Sequence, residues 1–160
     1  MDTEAGFAFY VVLKYAAYVA WCYVGLRLAQ KAARGERPAQ APAGNARRRA
    51  FVFGFVRLLI GIAFGFGIFM VGGMMHLNSP ENSWPLYFGI YAPVRWVEWS
   101  IMAALLVRGG SFIEFLIGAG GGKMAAWQFG GIIVSHLADT PLILGSRGPH
   151  DMLPVGRFLC

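Results

Sequence analysis

Four long apolar blocks constrain what this chain can fold into more than any other feature. They cover about residues 6–28, 51–73, 85–107 and 124–144. Each approaches the roughly 20 residues with which a helix crosses about 30 Å of hydrocarbon. Hydrophobic residues make up 57% of the chain and charged residues only 14%, against about 25% charged in a typical soluble domain. We therefore predict an all-α polytopic membrane protein, a single membrane domain over 1–160 with about four transmembrane helices.

The third block leaves two alternatives open, because Pro85 and Pro93 can each begin or interrupt a helix. The helix covers either 85–107, with Pro93 inside it, or 93–117, with Pro93 in its first turn. The apolar piece within 109–123 is too short to span a bilayer. We expect a short interfacial helix, a re-entrant segment or the end of the third block there.

Basic residues between the first two blocks set the expected orientation. Seven of the 14 Lys and Arg residues fall between Arg27 and Arg49. We predict a flexible cytoplasmic loop over 29–50, whose first part can continue the first helix. Positive residues favour the cytoplasmic side, so Arg108 and Lys123 belong there too, and both termini and the 74–84 turn lie outside. The net charge of +6 comes without a nucleic-acid-binding motif, which argues against a nucleic-acid partner.

The N-terminal block differs from a cleavable signal peptide. Acidic Asp2 and Glu4 precede it, where a signal peptide carries basic residues, and we expect the block to remain as a helix. The cysteines Cys22 and Cys160 form neither a CxxC motif nor a disulfide framework.

Small residues and one arginine characterise the second block. Gly61 and Gly65 form a GxxxG step with Gly54 further back on the helix, and such glycines let another helix approach closely. Arg57 lies near the block's basic end, where we expect it to reach the lipid headgroups.

Charged and titratable residues inside the apolar blocks are the candidate site, because one charge at bilayer depth costs roughly 2.5–3.5 kcal/mol or more. They are Lys14, Arg95, Glu98, His136 and Asp139. Three-residue spacing places Arg95 beside Glu98 and His136 beside Asp139 on a helix face. The cluster either locks the fold with Trp96 and Trp99 as an aromatic belt, or lines a pocket, proton path or cofactor site, or forms an interface with another subunit.

Metal binding and catalysis receive little support. Glu98, His136, Asp139 and His76 are ligand types, but no HxxxH or HxxEH spacing joins them; they are weak candidates, and we predict no metal site. Haem ligation would need His76 and His136 at one depth. No GxSxG motif and no nucleotide-binding loop occurs, so we predict no enzyme activity, and the sequence identifies no cofactor.

The segment "RWVEWSI", residues 95–101, resembles the third helix of microbial rhodopsins, and especially heliorhodopsins. By that resemblance Glu98 matches the carboxylate that pairs with the retinal Schiff base, and Arg95 matches the neighbouring arginine. The family has seven helices and a retinal-binding lysine in the last one. This chain has room for about four, and Lys123 lies only at the edge of its fourth block.

These observations support three functions. The first is a non-catalytic integral membrane subunit of a larger assembly, such as a respiratory or photosynthetic one in a bacterial inner membrane. Its partners would be lipid and other subunits or copies of itself. The second is a small oligomeric transporter or channel that uses the intramembrane cluster. The third is a rhodopsin-like or other chromophore- or redox-cofactor-binding membrane protein.

Overall fold

Helices form every regular element in the part of the chain that the structure describes. A computed structural model describes residues 3–34, 43–74, 83–107 and 110–145. In chain order the helices are α1 (Thr3–Arg34), α2 (Ala43–Met74), α3 (Ser83–Leu106), α4 (Phe112–Leu116) and α5 (Gly122–Gly145). The all-α prediction is confirmed for these residues.

The first two helices are longer than the apolar blocks that predicted them. The first part of the predicted loop over 29–50 continues the first helix to Arg34, as the sequence allowed, and the prediction is corrected at its second end, where α2 already begins at Ala43. Alanine, arginine, lysine and glutamine dominate these extensions and are among the strongest helix formers. Apolar content marks where a helix could enter a bilayer, and helix propensity carries the backbone further.

The third helix follows the first of the two alternatives. It runs from Ser83 to Leu106 and continues through Pro93. The short apolar piece after it is a separate helix, α4, which is tied to α3 by a hydrogen bond of 2.8 Å from Trp96 Nε1 to the Leu116 carbonyl. Positive φ angles of 76° and 93° at Gly118 and Gly121 then turn the chain into α5, in a conformation that glycine adopts without strain.

The four long helices alternate in direction. Helices α1 and α5 run in opposite directions, since Tyr10 lies beside Asp139 and Trp21 beside Trp127. Helices α3 and α5 are also antiparallel, since Arg95 lies beside Asp139 and Ser100 beside Gln128. The same holds for α1 and α2, where Tyr18 lies beside Arg57 and Tyr23 beside Ala50. One end of the bundle therefore gathers the C-terminal ends of α1 and α3 and the N-terminal ends of α2 and α5. We call it the basic end, because it carries Arg27, Lys31, Arg47, Arg48, Arg49 and Lys123.

Aromatic rings fill the centre of the bundle. Trp99 makes edge-to-face contacts with Tyr18 at 6.0 Å and with Trp127 at 5.1 Å between ring centroids. Trp21 and Trp127 each donate a 3.0 Å hydrogen bond to the other's main-chain carbonyl. Two helices are thus joined by both indole N–H groups without a charged partner.

Glycine permits the closest helix contact. A Cβ atom on Gly54 would lie 2.6 Å from Val19 Cγ2 and 3.0 Å from the Val19 amide nitrogen, so α1 and α2 touch at backbone distance there. Gly61 and Gly65 are buried further along α2. Of the three predicted packing glycines, Gly54 is the one whose neighbour across the interface is defined.

Two segments are long and apolar enough to cross a membrane by length and composition. They are Ala8–Lys31 in α1 and Asn45–Ile68 in α2. Both lie mostly at the surface of the bundle, since only 33% and 28% of their most apolar windows are buried inside the chain.

Candidate functional site

Among the residues that the structure describes, five charged side chains lie inside the bundle at the interfaces between helices. Lys14, Arg57 and Glu98 are 0% exposed, Arg95 is 1% exposed and Asp139 is 5% exposed. Each of these five side chains contacts an opposite charge on another helix. They divide into two groups at different levels of the bundle.

The first group, which we call the Asp139 group, joins α1, α3 and α5. Asp139 Oδ1 accepts hydrogen bonds of 2.6 Å from Lys14 Nζ and 2.6 Å from the Tyr10 hydroxyl, and Oδ2 accepts from Arg95 Nη2. Lys14 Nζ also donates to the Tyr10 hydroxyl at 2.9 Å. One carboxylate thus binds two cations, and the three helices share a single charge-assisted network.

The second group, the Arg57–Glu98 pair, joins α2 to α3. Arg57 Nη2 donates to Glu98 Oε2. The guanidinium lies close to two rings, with its Cζ 4.8 Å from the Tyr18 centroid and 5.0 Å from the Trp99 centroid. Arginine favours such sites because its flat, weakly hydrated cation can stack on rings while it binds a carboxylate.

The ion pairs cross between helices, which corrects the Arg95–Glu98 pairing expected from sequence. Three-residue spacing suggested Arg95 with Glu98 and His136 with Asp139. In the structure Arg95 forms its ion pair with Asp139, and Glu98 forms its pair with Arg57. Pairing within a helix would leave charges on neighbouring helices buried and uncompensated, which costs several kcal/mol per ion. His136 is half-buried on α5, close to the Asp139 group in sequence.

Arg57 is the main residue that sequence reasoning misplaced. We expected it to reach the headgroups because the apolar block begins only six residues earlier. The helix begins at Ala43, and Arg57 is near the middle of the Asn45–Ile68 segment. At about 1.5 Å per residue, either end is roughly 17 Å away, well beyond the reach of one side chain. The arginine therefore remains inside and needs a carboxylate, which α3 supplies.

Tyrosines, serines and a glutamine complete the polar interior. Tyr10 and Tyr18 lie one turn before and one turn after Lys14, and this four-residue spacing was the signal that could have placed them beside it. On the α3–α5 side, Trp99 Nε1 donates to the Ser135 hydroxyl at 3.3 Å and Gln128 Nε2 donates to the Ser100 hydroxyl at 2.9 Å. Polar contacts therefore recur along the whole α3–α5 interface.

Metal ligation finds little support in this arrangement. Within residues 3–34, 43–74, 83–107 and 110–145, no three His, Cys, Asp or Glu side chains come close enough together to hold an ion. Of the weak candidates, Glu98 and Asp139 belong to different ion pairs. His76 lies outside the described residues, as do Cys160 and Arg108.

The arrangement of the two groups supports one structural role and one chemical role. They hold helices together through charge-assisted bonds that lipid or apolar neighbours cannot replace. The Asp139 group also forms a continuous hydrogen-bonded chain from a phenol to a carboxylate to an amine, along which a proton can move. The chain matches no protein-family model, no curated protein and no solved structure, so these geometric relationships carry the functional argument.

Proposed function

We propose that this chain is a multi-pass integral membrane protein that acts as a non-catalytic subunit of a larger membrane assembly. In this proposal the Asp139 group and the Arg57–Glu98 pair fix the helices against one another. The exposed apolar faces then meet lipid and the helices of partner subunits.

The observation that carries the proposal is the inverted distribution of polarity. Buried positions hold five charged side chains together with Ser100, Gln128 and Ser135. Large apolar side chains face outward on the long helices and on α4, including Leu137 of α5 and Ile113 of α4, each at 65% exposed. Water-soluble proteins rarely expose such continuous apolar surface, whereas a bilayer favours it and forces charges inward.

The distribution of basic residues supports the expected orientation. Because the long helices alternate in direction, the cations of α1, α2 and α5 lie together at the basic end of the bundle. Positive residues of membrane proteins concentrate on the cytoplasmic side. In the proposal this end is cytoplasmic, and all four long helices span the bilayer, with α4 at its surface.

The use of the buried charges favours a structural role over a catalytic one. Both carboxylates in the interior are bound to cations on other helices. A substrate would therefore have to displace one of these cations before it could bind either carboxylate. Large exposed side chains on α1, α2, α3 and α5, such as Val12, Phe55, Leu105 and Phe129, leave several faces for a partner helix.

Site-specific photo-crosslinking in membranes tests the subunit role. A benzophenone amino acid replaces Val12, Phe55, Leu105 or Phe129, one exposed position on each long helix, and mass spectrometry identifies the crosslinked chains. We expect one helix face to yield a discrete adduct with an unlike membrane protein, and neighbouring exposed positions on that face to yield the same partner. The same substitution at Trp99, which is fully buried, serves as the control and should give only links within the chain.

Adducts with lipid alone at all four positions would overturn the subunit role. Adducts only with a second copy of the chain would favour a homo-oligomer. A visible spectrum of the purified protein, taken in parallel, tests the rhodopsin-like alternative, because retinal or haem would absorb.

A transporter is the second candidate, and the Asp139 group is the observation that favours it. Its phenol, carboxylate and amine are linked by hydrogen bonds of 2.6 to 2.9 Å, which is the geometry of a proton relay. Proton flux into liposomes that is abolished in Asp139→Asn, and is retained in a Trp21→Phe control, would support this candidate. Absence of proton flux in both the unmodified protein and the Trp21→Phe control would exclude the transporter.

A further inference from the structure

A groove opens between α1 and α2 toward the basic end of the bundle. It has a volume of about 240 Å³ and is lined by Val19, Ala20 and Tyr23 of α1 and by Arg47, Ala50 and Phe51 of α2. The helices touch at Gly54 and Val19, and beyond that contact the small side chains of Ala20 and Ala50 leave space between them. The groove is smaller than the roughly 300–1,000 Å³ of ordinary small-molecule sites, a size that suits a segment of a flexible chain.

In the part of the chain that the structure describes, the charge around the groove has one sign. Arg47 forms part of its wall, and Arg48 follows as an exposed residue. Helix α2 contains no acidic residue, and the only one in α1 is Glu4, at the opposite end. The ligand that complements this groove therefore combines an apolar chain with an anionic group.

Two of the cations near the groove already have aromatic partners, and Arg47 is the cation in its lining. The Arg27 guanidinium donates to the Tyr23 hydroxyl at 2.6 and 2.9 Å, and Arg49 stacks on the Phe53 ring at 5.5 Å. Arg47 forms no ion pair with any residue that the structure describes. Its guanidinium lines the groove and can bind an anion there.

We propose that the groove binds an anionic phospholipid, with part of one acyl chain between α1 and α2 and the phosphate on Arg47. This site rests on the proposed membrane location. The apolar walls bury methylene groups, and a guanidinium binds phosphate through two parallel hydrogen bonds. The cytoplasmic leaflet carries anionic lipids, to which basic segments next to a membrane helix are attracted. The groove converts that diffuse attraction into a defined site.

Native mass spectrometry of the detergent-purified chain measures the site. Phosphatidylglycerol and phosphatidylcholine with identical acyl chains are titrated separately, so only the headgroup differs. We expect one phosphatidylglycerol to bind more tightly than any later one. Arg47→Gln should weaken that first binding at least about tenfold more than Arg48→Gln, the effect of losing a direct charge-assisted hydrogen bond to the phosphate. Both variants lose one charge, so diffuse attraction falls equally and the difference reports the groove.

A second pair of variants tests the apolar part. Ala20→Trp fills the groove and should abolish the tight binding, whereas Val12→Trp, on an exposed position of α1 outside it, should leave it unchanged. Equal losses in Arg47→Gln and Arg48→Gln, or tight binding that survives Ala20→Trp, would overturn the site. Flotation with liposomes after an alkaline wash separates the two proposals. A chain that floats but shows no tight lipid refutes the groove alone, and one that is washed off also refutes the membrane location.

Discussion

The Arg57–Glu98 pair offers the sharpest test of how the bundle is held together. Replacing Glu98 by Leu leaves the Arg57 cation buried without its carboxylate, and replacing Arg57 by Met leaves the Glu98 carboxylate buried without its cation. Breaking a buried pair from one side costs about 3–5 kcal/mol of unfolding free energy. Because Tyr18 and Trp99 stay within 4.8 and 5.0 Å of the guanidinium, we expect Glu98→Leu at the lower end, about 3 kcal/mol.

The double variant distinguishes a specific pair from two independent polar residues. Arg57→Met with Glu98→Leu removes both charges at similar volume, and such replacements are often neutral or stabilising by about 1–4 kcal/mol. The two single losses should therefore not add. If the double variant is neutral, the coupling energy between the two residues equals the sum of the single losses, which is about 6 kcal/mol when each is about 3 kcal/mol. Reversible unfolding in mixed micelles, followed by tryptophan fluorescence, measures all four proteins.

Arg48→Met is the matched control, since it makes the same substitution at an exposed position of the same helix. A surface change of this kind should stay within about 0.5 kcal/mol. The reasoning fails if Arg57→Met costs no more than Arg48→Met. It also fails if the double variant loses the sum of the two single losses, because the side chains would then be stabilised separately.

Three further outcomes follow from the structure. Asp139→Asn removes the carboxylate that binds two cations and should lower the unfolding free energy by more than Glu98→Leu does, measured in the same micelles; a smaller loss would mean that the Asp139 group is not the main link between its helices. Gly54→Ala places a Cβ against the α1 backbone and should cost about 1–3 kcal/mol, whereas Gly67→Ala, which meets nothing within 4 Å, should be neutral or stabilising by about 0.5–1 kcal/mol; equal effects in thermal unfolding would contradict the close contact. Trp21→Phe and Trp127→Phe should each cost about 0.5–1.5 kcal/mol, one hydrogen bond apiece, and a loss in only one of them would show that the two bonds are unequal.

The helical architecture followed from the sequence because apolar blocks of this length have few other outcomes. Backbone groups in a long apolar run must satisfy one another, and a helix does so within the segment. The limits of the helices did not follow as directly. Residues 29–34 and 43–50 read as a basic loop on composition, yet their alanines and basic side chains favour helix.

The membership of the polar cluster was largely predictable, but its connections were not. A charge within an apolar run is conspicuous, and so Lys14, Arg95, Glu98 and Asp139 were identified. Which cation binds which carboxylate depends on the rotation and depth of each helix, and sequence spacing reports only neighbours on the same helix. Arg57 was misplaced for the same reason, since its depth depends on where α2 begins.

In the proposed membrane location, the bundle keeps five charged side chains inside and presents its apolar surface to lipid. Photolabelling of the reconstituted protein with a lipid-soluble carbene precursor, mapped by mass spectrometry, tests it most directly. We expect labels on exposed residues such as Val12, Phe55 and Phe66, and none on Tyr18 or Trp99 inside the bundle. Labels on Trp99, or exposed residues that react only with a water-soluble footprinting reagent, would contradict it.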